Sequence, residues 1–229
     1  MRQVFVITVL GLFASAAIAD TILVENFDSV ATLGAGGWAL INNSSPVGST
    51  GWFQGNPGIF TSQSGAADSY VAANFENAAF GGNISNWLLS PLLALNNGDT
   101  ISFYTRSDGI FADRLEVRLS TSGASTDVGG TDASVGDFTS LLLTINPSLD
   151  PNGYPTAWTG FSAMVSGLGG SATGRYALRY FVQDTSSNAN YIGIDTLAVN
   201  AVPEPGVTLI LGLGLAALGL VRRARALRR

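Results

Sequence analysis

The sequence holds no histidine and no cysteine, and its 11 basic residues are all arginine. A Ser-His-Asp triad, a thiolate nucleophile, a Schiff-base lysine, a P-loop lysine and a histidine-ligated zinc site are therefore closed to it. What remains is the oxygen chemistry of the carboxylates. Two of them flanking a glycosidic bond, one raised in pKa and one ionised, can hydrolyse it, and Glu25, Glu76 and Glu116 are the glutamates that could join the aspartates in such a pair. Glu116 alternates with Arg114 and Arg118, a pattern that points to cross-strand charge pairing, and Glu76 falls in the loop-like Asn74-Phe-Glu-Asn77. Nothing in the spacing marks two acids as a pair, so the chain reads as non-enzymatic. A hard cation such as calcium is the other use for these oxygens, because loops rich in Asp, Asn and Gly offer several at once.

The second chemistry on offer is stacking. Four tryptophans, Trp38, Trp52, Trp87 and Trp158, could present flat faces to sugar rings. Most tryptophans in a β-sandwich are core anchors with one N–H to satisfy. Trp52-Phe53 and Trp158, nearer to loops, are the residues expected to face a ligand if the domain binds carbohydrate. A structural domain predicts all four tryptophans buried; a carbohydrate-binding module predicts exposed ones on a concave face.

The elements that must position these groups are strands. Charge is sparse at 12%, the 28 glycines are spread widely, and Ser, Thr, Asn and Asp cluster between short apolar runs. Period-two alternation places strands at 21–27, 37–42, 69–74, 85–90, 100–106, 114–120, 138–145, 158–165, 175–183 and 191–199. Leu115, Val117 and Leu119 alternate with Arg114, Glu116 and Arg118, which predicts one core face and one wet face. Asn96-Asn-Gly-Asp99 is a tight-turn signal. The segments 123–136 and 146–156 read as irregular surface loops, and no amphipathic helix is evident. The expected fold is all-β, an antiparallel sandwich or jelly roll over residues 20–200. Without disulfides, burial and strand pairing must hold it.

The two ends differ in kind from this body. Residues 1–19 carry Arg2, an apolar run from Val4 to Phe13 and the small-residue exit Ala17-Ile-Ala19, the three parts of a cleavable signal peptide whose partner is signal peptidase. Residues 201–229 hold Val202-Pro203-Glu204-Pro205, an apolar segment from Gly206 to Val221 and five arginines from Arg222 to Arg229. That segment is slightly short for a membrane helix, but flanking arginines can snorkel to the interface and favour a cytoplasmic terminus. With six arginines removed to the ends, the body keeps five against nearly all of the acids. Nucleic acid is thereby excluded as a partner, since phosphate binding needs a basic surface.

The tail resembles the PEP-CTERM sorting signal of Gram-negative bacteria in its Val-Pro-Glu-Pro motif, apolar segment and Arg-rich terminus, in that order. The resemblance implies a partner, an exosortase-type membrane enzyme that processes the signal, and a setting of exopolysaccharide and biofilm matrix. The body is similar to the choice-of-anchor J domain and its cleaved-adhesin and MAM-like relatives, through Glu25-Asn-Phe-Asp28, Gly37-Trp38, Trp52-Phe53, Asn86-Trp-Leu-Leu-Ser-Pro91, Asp113-Arg-Leu-Glu-Val-Arg-Leu-Ser120 and Ile192-Gly-Ile-Asp195. This second resemblance implies that Trp38 and Trp87 are core. It also implies a calcium ion joining the first and last strands through Glu25 or Asp28 near the start and Asp195 near the end, where the alternative is that Asp28 caps a turn and Asp195 makes a buried hydrogen bond. The family pattern has Asn or Asp where this chain has Thr196, which removes one ligand. Together these readings predict an exported adhesive or matrix protein of the cell envelope, with a carbohydrate-binding module of the exopolysaccharide matrix as the alternative.

Overall fold

A computed structural model describes residues 20–202. Each of the ten expected strands coincides with an observed one. They are β1 (Thr21–Glu25), β2 (Ala39–Asn42), β5 (Val71–Asn74), β6 (Ala78–Leu89), β8 (Thr100–Ser107), β9 (Leu115–Ser120), β10 (Ser140–Ile145), β11 (Thr159–Met164), β12 (Ala172–Val182) and β13 (Tyr191–Asn200). Three short strands escape the alternation rule: β3 (Ser45–Val47), β4 (Phe53–Gln54) and β7 (Leu93–Leu95). Two or three residues are too few to display a period. A 3-10 stretch, Val30–Gly36, buries Val30 and Leu33 and ends at Gly37, whose positive φ of 87° turns the chain into β2.

All pairings are antiparallel and build two sheets. One runs β11-β8-β13-β5-β4, with β1 beside the end of β13; the other runs β10-β9-β12-β6-β2, with β3 on β6 and β7 on β12. Inward side chains of both sheets, among them Phe103, Ile192 and Ile194 from the first and Leu88, Val117 and Leu178 from the second, share one core. The fold is a β-sandwich, as expected.

The register fixes two poles. Thr21 pairs with Asn200, and Asn200 with Thr100, so β1 starts and β13 ends at one pole. Val202 follows there, its N–H on Asp99 Oδ1 at 3.1 Å. Tyr191 pairs with Asn74 and Ile192 with Ser107, which puts the start of β13 and the end of β8 at the opposite pole. Ten residues of β13 separate the two poles by about 30 Å at the usual rise per residue.

The expected wet face of β9 is not wet. Glu116 is 7% exposed, because residues 121–139 fold back over the second sheet and seat Val128 and Phe138 on Trp87, Leu89 and Ala177. Arg179 lies directly across from Glu116 in the register and is 1% exposed. Its Nη1 reaches Glu116 Oε2 at 3.2 Å, and Arg118 Nε donates to the same oxygen at 2.7 Å. The guanidinium of Arg179 also packs over Trp87 and Phe181 and binds Ser85 Oγ and the Asp132 carbonyl. Charge pairing across strands was the right expectation for Glu116; the cover over it depends on a loop that carries no periodic signal.

Candidate functional site

The residues expected to carry the site do not meet in one place. Trp52 is 6% exposed and belongs to the main core, which corrects its reading as a stacking platform. Phe53 and Trp158 are half-buried and pack around a second aromatic cluster of Phe60, Tyr70 and Tyr191 on the outer side of the first sheet. Trp158 meets the rings of Phe60 and Tyr70 edge-on, each at 5.6 Å, and its Nε1 donates to the Thr61 carbonyl at 2.8 Å. Trp38 and Trp87 are core, as expected.

Asp195 is fully buried, and both of its carboxylate oxygens face N–H donors. Oδ2 accepts from Gln63 N at 2.8 Å and Ser64 N at 3.1 Å, and Oδ1 from Thr196 N at 2.6 Å. Burial holds this carboxyl above its usual range against the pull of those donors. Glu25 Oε1 accepts from Phe27 N at 2.8 Å, and Asp28 Oδ1 lies beside Gly65 in the same 62–69 loop that Asp195 holds. Of these oxygens, those of Asp195 tie the loop down through hydrogen bonds. They do not form a carboxylate cage, and among the described residues no three acidic side chains gather as a metal-holding group.

One groove of about 400 Å³ runs along Tyr104, Phe161 and Thr196 on the first sheet, and a more apolar surface open to a ligand lies at the pole away from Val202. Two grooves there share Phe75 and Phe80 as a common wall. The first, about 430 Å³, is lined by Val47, Ser49, Phe75, Glu76, Ala79 and Phe80. The second, about 200 Å³, adds Phe111, Thr185, Ser186, Asn188 and Asn190 to the same pair. Phe80 is 86% exposed, Phe111 46% and Phe75 45%. Leaving a phenyl ring in water forgoes roughly 1.5–3 kcal/mol of burial, so three beside shared grooves mark an interaction surface.

Local geometry explains how Phe80 comes to stand out. β3 pairs with β6 at Ser45–Asn83 and Val47–Ala78, so five steps along β6 oppose two along β3. The chain between these pairs, Ala79 to Gly82, holds three residues more than β3 opposes and leaves the ladder as a bulge that carries Phe80. Gly81 takes a φ of 76°, which a residue with a Cβ adopts at a cost. The walls are fixed by backbone bonds between three segments: Ser49 N to Glu76 O at 2.9 Å, Phe75 N to Asn190 O at 2.9 Å, and Thr185 N to Gly82 O at 3.0 Å. Beneath them Asp113, fully buried, accepts from Tyr180 Oη at 2.5 Å and from Asn190 N at 3.1 Å. Burial pushes its carboxyl up to about 7.

Sequence reasoning missed this site. The signal was Phe80-Gly81-Gly82, an aromatic before two glycines near the start of β6, where Gly commonly marks a bulge. Of the glycosidase candidates, Glu76 lines the first groove, and no second carboxylate joins it on the lining of either groove among the described residues.

No family model matches the sequence, and no curated protein matches it. Solved structures do match the fold. The chain is similar to the K1 cleaved adhesin domain of Lys-gingipain from Porphyromonas gingivalis W83, with a TM-score of 0.54 and 21% identity over 80% of this chain and 99% of that one. The K3 domain of the same protein gives a TM-score of 0.53 at 16% identity, over 80% and 99% of the two chains. This chain has a cleaved-adhesin-like β-sandwich. At these identities the likeness is one of fold alone.

Proposed function

We propose that this protein is an exported, non-catalytic binding module of the cell envelope, adhesive or matrix-forming, whose working surface is the Phe75–Phe80–Phe111 pole. The observation that carries the reading is polarity: the exposed phenyl rings stand about 30 Å from the pole where the chain leaves the domain at Val202. A module held by its tail presents its far end to the surroundings. The choice-of-anchor J resemblance and the cleaved-adhesin-like fold support the same reading.

Sorting belongs to this proposal as well. Signal peptidase would release residues 1–19, and an exosortase-type enzyme would recognise Val202, Pro203, Glu204 and Pro205 before the apolar helix and arginines. Of these calls only Val202 lies within the described residues, where no helix is long and apolar enough to cross a membrane. Calcium stapling by Glu25, Asp28 and Asp195 is not carried forward, because the oxygens of Asp195 already hold the 63–64 turn.

The test compares cells producing the native chain with cells producing Phe80→Ala and Phe111→Ala. Equal export and equal intact mass with reduced attachment of the variant cells is the expected result. Unchanged attachment, or a chain retained in the cytoplasm with residues 1–19 in place, would overturn the reading.

A further inference from the structure

The chemistry around Phe80 selects among possible occupants. Phe75, Phe80 and Phe111 supply apolar rings, and the polar groups lining the grooves are the Ser49 hydroxyl and the Glu76 carboxylate on one side and the hydroxyls and amides of Thr185, Ser186, Asn188 and Asn190 on the other. A pyranose ring has the matching pattern, apolar C–H faces rimmed by hydroxyls. Because the two grooves share Phe75 and Phe80 and are both open, a chain of such rings can cross from one to the other over Phe80. Backbone bonds between the 45–50, 75–83 and 184–190 segments hold the walls in place before any ligand arrives.

Charge narrows the ligand further. Residues 20–202 hold 15 of the 16 acidic residues and 5 of the 11 basic ones, a net charge of −10. Glu76 is the ionisable side chain on the groove lining, and Asp108, which takes the side-chain amide of Asn190, and Asp184 lie beside it. Among the described residues, no arginine is on the lining of either groove; Arg106 binds the Thr156 carbonyl and packs on Phe60, and Arg114 binds Phe181 O and Gln183. Such a field repels uronic or sulfated polymers and phosphate-rich membrane surfaces.

We propose that the paired grooves bind a neutral polysaccharide, with one sugar ring stacked on Phe80 and its neighbours seated on either side. This rests on the reading of that pole as the adhesive end.

The decisive experiment uses the mature protein purified from its native envelope. Its binding is measured by calorimetry against the neutral and the anionic polysaccharide fractions of the producing cells' matrix, separated by anion exchange, and against phosphatidylcholine vesicles. We expect the neutral fraction to bind, Phe80→Ala to weaken binding at least about tenfold, and Phe80→Trp to preserve or strengthen it. Both variants should melt with the native protein, since the ring is exposed. Preference for the anionic fraction or the vesicles, no binding to either fraction, or unchanged binding by Phe80→Ala overturns the assignment. If Phe80→Ala abolishes cell attachment while neither fraction binds, the adhesive reading stands and the glycan assignment falls.

Discussion

Asp113 shows how much a single residue can hold. Its Oδ1 ties β12, through Tyr180, to the chain entering β13, through Asn190, while its Oδ2 is buried without a partner. With a folded pKa of about 7 against about 4 when unfolded, the folded state binds the extra proton between those values. Stability from this group therefore falls as pH rises from about 4 to 7, by roughly 2 to 4 kcal/mol, and stays lost above that range. We expect Asp113→Asn to flatten the change in urea midpoint between pH 5 and pH 8; an undiminished slope would assign it to other groups. Asp195 makes the opposite kind of anchor, with its donors supplied by backbone. Chelator is expected to leave the melting temperature unchanged, and Asp195→Ala to cost about 1–3 kcal/mol, because three N–H groups lose their acceptor. A chelator-induced drop in melting temperature would instead reinstate a calcium ion.

At the scale of elements, alternation located the long strands because each has one face on the common core. It failed where a neighbour rather than a period decided the structure. β3 and β4 exist because β6 and β5 offer them an edge, and the wet face of β9 became dry because 121–139 covers it. Gly193 on β13 is a further instance. A Cβ there would stand 2.8 Å from Phe60, 2.9 Å from Tyr70 and 3.0 Å from Trp158, all on ring carbons. The glycine makes the floor on which that aromatic cluster rests. Gly193→Ala is expected to lower stability by about 1–3 kcal/mol in urea unfolding and to raise the fluorescence exposure of Trp158. A native-like midpoint would show that the cluster shifts without cost.

For the whole molecule, the pole that carries Phe80 and the pole that carries Val202 are opposite because β13 runs the length of the sandwich between them. The described strands and their cores lie within Thr21–Val202. A chain ending at Val202 is thus expected to melt within about 2 °C of the native protein. The same truncation should shift the protein from the envelope to the medium. Intact mass and fractionation check both, and retention at the envelope would place the anchor within the body.

The sequence by itself determined the class of fold, the strand order along the chain, the acidic body between basic ends and the chemistries closed to it. These depend on composition and on local period, which a chain displays before it folds. Only the tertiary structure decided which aromatics are spent on packing and which are left in water. Trp52 and Phe80 both sit beside glycine in apolar company, and the glycine pair after Phe80 marks a bulge without deciding which ring is left in water. One is 6% exposed and the other 86%, because the core closes over Trp52 while the β3–β6 register forces three residues of excess chain outward beneath Phe80. Burial is a property of what arrives from elsewhere in the chain, and pairing register sets what arrives.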